Sequence, residues 1–111
     1  MNRGKNYKEN EFELPERIYI WEGPDSTPQI IQENVKQVAL LKKYAEKGYA
    51  KAQYLMGYYC EVGLENQCEG ACIFYTYIYQ DITKAKEWYK SSARQGYPKA
   101  IEKCKLLHIE Y

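Results

Sequence analysis

A chain of 111 residues is enough for one domain, and its 45% hydrophobic and 28% charged residues are the composition of an ordinary globule. Sixteen basic against fifteen acidic residues leave a formal charge of +1, and no block of like charge is long enough to build a nucleic-acid or membrane-surface site. The longest uncharged apolar stretch, residues 71–79, is too short to span a bilayer.

Residues 1–27 are expected to form an N-terminal extension, loose and polar at first. No apolar signal core follows Met1-Asn2-Arg3-Gly4-Lys5-Asn6, so the expected compartment is the cytoplasm. Residues 17–21 alternate in a β-prone pattern that ends at the breaker cluster Gly23-Pro24-Asp25-Ser26-Thr27-Pro28. Thr27 followed by Pro28 reads as an N-cap and first helical position. Ile30, Ile31, Val35, Val38, Leu41 and Ala45 then recur at helical spacing, which predicts a helix over 28–47 with Gly48 as its left-handed stop.

A second helix is predicted from Ala50 to near Gly63, with Ala52, Leu55, Met56, Tyr59 and Cys60 inward. The short link makes the two helices antiparallel neighbours. Residues 64–80 are the odd segment. Within them Cys72-Ile73-Phe74-Tyr75-Thr76-Tyr77-Ile78-Tyr79 has the composition of a strand, against a competing helical extension. Paired with 17–21 it would make a small ribbon on the helical body. Asp81 is the expected N-cap of a third helix, whose inward face carries Ile82, Ala85, Trp88, Tyr89 and Ser92. Gly96 stops it, and a last helix opens at Pro98 with Ala100, Ile101, Cys104, Leu107 and His108 at helical spacing.

One motif occurs twice. Ala45-Glu46-Lys47-Gly48-Tyr49-Ala50-Lys51-Ala52 aligns with Ala93-Arg94-Gln95-Gly96-Tyr97-Pro98-Lys99-Ala100 at a constant offset of 48 residues. A fixed offset marks stacked two-helix units, each covering the apolar face its neighbour leaves open. The small residues sit where backbones must approach. Gly57 inside a helix costs about 1 kcal/mol relative to Ala and so implies a close packing partner, expected to be Trp88.

Ala52, Gly57, Gly63, Asp81, Lys84, Ala85, Trp88, Ala93 and Gly96, in that order, resemble the Sel-1-like repeat, a relative of the tetratricopeptide repeats. The resemblance covers residues 28–108. It implies an all-α fold, a short α/α solenoid of antiparallel helix pairs over 28–111 with 64–80 as an insertion, to which the small β-ribbon read from composition would be added. Gly48, Ala52, Gly57, Gly63, Trp88, Ala93 and Gly96 are its structural repeat residues. The offset exceeds the roughly 34 residues of a tetratricopeptide unit, and the surplus falls in 64–80. Lys105 stands where the repeat would place a glycine, as suits a polar terminal cap.

Four cysteines, Cys60, Cys68, Cys72 and Cys104, leave three possibilities open: reduced thiols, disulfides, or a zinc shell completed by Cys104 or His108. The Cys-x3-Cys spacing is a weak zinc signal with its remaining ligand far off in sequence, so reduced thiols are expected, with Cys60 and Cys104 buried in the core, and no metal or cofactor. His108 is the only histidine. It would act with a thiol only within hydrogen-bond reach of one. No phosphate loop, serine elbow or paired acidic motif is present, and the expected activity is not enzymatic.

Thirteen tyrosines remain, a residue that packs its ring and presents its hydroxyl. The expected function is protein binding through a tyrosine-lined helical groove, with Tyr54, Tyr58, Tyr77, Tyr79 and Trp21 solvent-facing. The expected partner is another protein, a toxin or effector neutralised by an immunity protein, or a client of a signalling adaptor; the chain itself is expected to be a monomer or weak dimer. A third expectation comes from the resemblance alone: cysteine-rich members of the family bind or hydrolyse β-lactams, but those are secreted and have regularly paired cysteines.

Overall fold

A computed structural model describes residues 28–65 and 76–111. The expectations placed on 17–21, Trp21, Thr27, Cys68 and Cys72 lie outside the described residues. Four helices and one strand pair follow in order: α1 (Pro28–Glu46), α2 (Ala50–Val62), β1 (Leu64–Glu65), β2 (Thr76–Ile78), α3 (Ile82–Arg94) and α4 (Pro98–Leu106). The domain is mostly helical. Each helix packs chiefly on its neighbours in the chain, so α2 lies between α1 and α3, and α4 rests on α3. No described helix is long and apolar enough to cross a membrane.

The repeated motif is a repeated turn. Gly48 has φ 101° and Gly96 φ 92°, a region where a Cβ is strained. Gly48 donates to the carbonyl of Ala45 at 3.1 Å and Gly96 to that of Ala93 at 2.9 Å. Tyr49 donates to Tyr44 at 3.2 Å and Tyr97 to Ser92 at 3.4 Å. These are the two bonds of a Schellman motif, and they satisfy carbonyls that a helix end leaves open. Tyr49 and Tyr97 then start the next helix with nearly the same dihedrals, φ −71°, ψ 118° and φ −68°, ψ 117°. Ala45, Ala52, Ala93 and Ala100 are all buried around these joints.

Polar groups at the seam are paired as well. Ser92 Oγ donates to the Ala50 carbonyl at 2.7 Å, Gln53 Nε2 to the Ala45 carbonyl at 3.2 Å, and Gln95 Nε2 to Gln53 Oε1 at 2.8 Å. Every buried side-chain nitrogen and oxygen among the described residues has a partner, as a closed core requires.

Tyr89, not Trp88, lies against Gly57. A Cβ at position 57 would stand 2.7 Å from Cδ1 and Cε1 of Tyr89, whose ring is wholly buried. The inward face of α3 is Ala85, Tyr89, Ser92 and Ala93, a stripe of i, i+4, i+7 and i+8. Trp88 is turned about 100° from it and is only half-buried, and Ile82 is exposed. The N-cap expectation holds at Asp81, whose carboxylate accepts from the Lys84 amide at 3.1 Å.

The last helix is shorter than its periodicity implies. It ends at Leu106, and His108 takes φ 56°. His108 donates to Lys105 at 3.3 Å and Ile109 to Cys104 at 2.8 Å, so a histidine occupies the Schellman position that glycine fills at 48 and 96. His108 is therefore exposed, and the buried residue is Ile109.

β1 and β2 pair antiparallel, Leu64 opposite Ile78 and Glu65 opposite Thr76, with an irregularity between the two pairs. The ribbon partner of β2 among the described residues is thus inside the 64–80 segment itself. Tyr77 falls in the irregularity and is buried at 9% exposure rather than solvent-facing. Strand alternation would have put it opposite to Ile78; the extra residue breaks that alternation. Its hydroxyl meets α1, where Asn34 Nδ2 donates to it at 3.1 Å. The ribbon is strapped to the end of α2 by two bonds, Asp81 amide to Cys60 carbonyl at 2.7 Å and Gln80 Nε2 to Glu61 carbonyl at 3.0 Å.

Candidate functional site

The helix-joining turns at Gly48 and Gly96 lie at one end of α2 and α3. The other end, about 20 Å away along α2, carries the strand pair. Here α2 stops at Val62 because Gly63 adopts φ 80°, ψ 154°, a region essentially reserved for glycine. The chain then turns into β1. The step leaves a cleft of about 500 Å³ lined by Tyr58, Tyr59 and Val62 from α2, by Leu64 and Glu65, and by Thr76, Ile78, Tyr79 and Gln80.

Large apolar side chains are exposed round this cleft. Tyr79 is 79% exposed, Val62 51% and Tyr58 41%. The Tyr58 and Tyr59 rings meet edge to face, with centroids 5.5 Å apart. That geometry is favoured by the ring quadrupole and holds the two at a fixed angle. Two of the five partner-binding residues read from the sequence, Tyr58 and Tyr79, are thus brought together.

The others are not. Tyr54 is half-buried between Tyr89 and Tyr97, each with a centroid 5.8 Å from its own, and it packs on the core. Tyr77 is inside, and Trp21 lies outside the described residues. Val62, Glu65, Ile78 and Gln80 join the site without having been singled out. Val62 had a signal, since it ends the second helix immediately before the stop at Gly63.

A polar clamp lies on the seam of α2, α3 and α4. Tyr89 Oη donates to Glu61 Oε1 at 2.6 Å, and Lys103 Nζ stands 3.4 Å from the same oxygen and 5.8 Å from the Tyr89 ring centroid. Burial first, and the bond to Glu61 second, push the Tyr89 hydroxyl well above the ordinary tyrosine value. The clamp ties α4 to α2 across a tyrosine that stays protonated.

Cys60 and Cys104 are free, buried thiols. Burial raises both above the ordinary thiol value; the Asp81 carboxylate adds to this at Cys60, while Lys84 and Lys42 oppose it there and Lys90 opposes it at Cys104. Such thiols are poor nucleophiles and poor ligands. Among the described residues no hydrogen bond joins His108 to either, and no group of three or more His, Cys, Asp or Glu is placed to hold a metal ion.

Neither protein-family models, nor curated proteins, nor solved structures show a match to this chain.

Proposed function

We propose that the chain is a protein-binding module built from Sel-1-like two-helix units, and that its recognition surface is the cleft between the end of α2 and the strand pair. One observation carries the reading: Tyr58, Val62 and Tyr79 gather their exposed apolar surface round a single concavity. Tyr44, Tyr49, Tyr54, Trp88, Tyr89 and Tyr97 pack instead in or against the helical core. Exposed aromatic anchors at the mouth of a concave site are the features that concentrate binding energy in interfaces. Two turns with matching dihedrals and matching hydrogen bonds support the two-helix unit. Within this class the narrower reading is an immunity protein or inhibitor that blocks one cognate toxin, with a signalling adaptor as the alternative.

Site-specific photo-crosslinking tests it. A p-benzoylphenylalanine replacing Tyr79 should capture a partner in cells of the native source, and the same group replacing exposed Lys99, at the opposite end of the helices, should not. Tyr58→Ser should abolish the capture. Equal yields from positions 79 and 99 would remove the cleft as the binding surface. A single tightly held species would favour the inhibitor, and several weakly held ones the adaptor.

A further inference from the structure

The charge around the cleft says what its occupant carries. Glu65 is exposed at the cleft wall, and its carboxylate has no hydrogen-bond or ion-pair partner among the described residues. The neighbouring carboxylates are engaged: Asp81 caps α3, and Glu61 is held by Tyr89 and Lys103. Among the described residues, no lysine or arginine lines the cleft. The sequence extends this asymmetry. Residues 52–83 contain Glu61, Glu65, Glu69 and Asp81 and not one lysine or arginine, although the chain has sixteen. Among the described residues, Glu65 is thus a carboxylate left unpaired at the end where Tyr58 and Tyr79 are exposed.

Resting on the protein-binding reading, we propose that the cleft receives a cationic side chain from a basic segment of the partner, its charge against the faces of Tyr58 and Tyr79 and beside the Glu65 carboxylate. Tyrosine faces attract a desolvated cation through the ring quadrupole, and a carboxylate at the same mouth adds an ordinary Coulomb attraction. Val62 and Ile78 supply apolar surface for the methylene stem that a lysine or arginine brings with it. An acidic segment would meet Glu65 as a like charge. An uncharged apolar segment would leave Glu65 without a role and would lose the attraction of the rings for a cation. Arginine is the better fit of the two cations, because its planar head stacks on an aromatic ring while donating to a carboxylate.

The test uses the full chain and three fluorescein-labelled octapeptides: alternating glycine–arginine, the same peptide with citrulline for arginine, and alternating glycine–glutamate. Anisotropy reads affinity, and amide shifts in labelled protein read location. The arginine peptide should bind with shifts centred on Glu65, Tyr79 and Gln80, and weaken as salt is raised. Citrulline keeps the shape and loses the charge, so its peptide should bind at least about fivefold more weakly, and the glutamate peptide should not bind. Tyr79 and Glu65 are exposed, so their variants should keep the native circular dichroism. Glu65→Gln should weaken the arginine peptide about fivefold. Tyr79→Leu should do the same while Tyr79→Phe changes it less than about twofold, because phenylalanine keeps the ring face.

Citrulline binding as tightly as arginine, an unaffected Tyr79→Leu, or shifts clustered at the Gly48 and Gly96 turns would overturn the assignment. Crosslinking from position 79 without any preference for arginine would sink the cation and leave the protein-binding reading standing. Arginine selectivity without a crosslinked partner would do the reverse.

Discussion

Gly57→Ala should destabilise the protein, against the direction that helix propensity demands. In an open helix the change adds about 1 kcal/mol of stability, since glycine loses more backbone entropy on folding than alanine does. At position 57 the new Cβ would stand 2.7 Å from two ring carbons of Tyr89 and 3.2 Å from the Ala85 carbonyl oxygen. The ring has nowhere to go. It is fully buried, its hydroxyl is tied to Glu61 at 2.6 Å, and Tyr54 packs on it at 5.8 Å between centroids. Overpacking of a filled core costs about 1–3 kcal/mol, and a shift that breaks the charged hydrogen bond adds about 1.5 kcal/mol more. Set against the propensity gain, the net loss is about 2 kcal/mol. Urea titration followed by far-ultraviolet circular dichroism should show a lower midpoint at unchanged slope. The melting temperature should fall by about 8–16 °C for a domain of this size. Tyr89→Leu in the same background should cost less than the sum of the two single changes, because the smaller side chain vacates the contested space. A Gly57→Ala protein more stable than the parent would refute close approach of α2 and α3 at this point.

His108→Gly should raise stability by about 0.5–1 kcal/mol, the relief of a left-handed residue less the entropy that glycine adds to the unfolded chain; a lower urea midpoint would show that the imidazole contributes something the αL turn does not. Stability should also fall in alkali. Burial raises the Cys60 and Cys104 thiols above 9.0 and the Tyr89 hydroxyl above 10.0 in the folded protein. The unfolded chain therefore loses those protons first, binds fewer of them there, and falls in free energy relative to the native state as pH climbs through that range. The urea midpoint should be level near about pH 7 to about pH 8 and drop by about pH 10.5, with a shallower drop in Tyr89→Phe. A midpoint unchanged to the alkaline limit would remove the burial of these three protons.

The described helices, their ends at the glycine stops and the turns between them were legible because each is decided within a few residues. Gly48 and Gly96 announce a left-handed stop, Asp81 announces a cap, and alanines three residues before and four after each glycine announce close joints. The same locality explains the failures. Periodicity names a helical face but leaves about one residue, or 100°, of freedom in its centre, so Trp88 and Tyr89 competed for the place against Gly57. Only the crossing of α2 and α3 selected Tyr89. His108 carried helical spacing but not the glycine that marks a stop, so its left-handed turn had no local signal. Tyr77 is expected to be solvent-facing, but an irregular register, visible only once β1 and β2 are paired, turns it toward Asn34.

The sequence alone determined a duplicated helix–turn–helix, because the bonds that end a helix at Gly48 or Gly96 form between residues at most five apart. It left open which tyrosines are core and which are surface, since a ring's fate depends on which helix lies opposite. The tertiary structure decided that by closing the seams over Tyr49 and Tyr89 and leaving Tyr58 and Tyr79 uncovered where α2 gives way to the strands. Residues 58 and 79 are far apart in sequence, and only folding could bring two such rings and the carboxylate of Glu65 to one cleft.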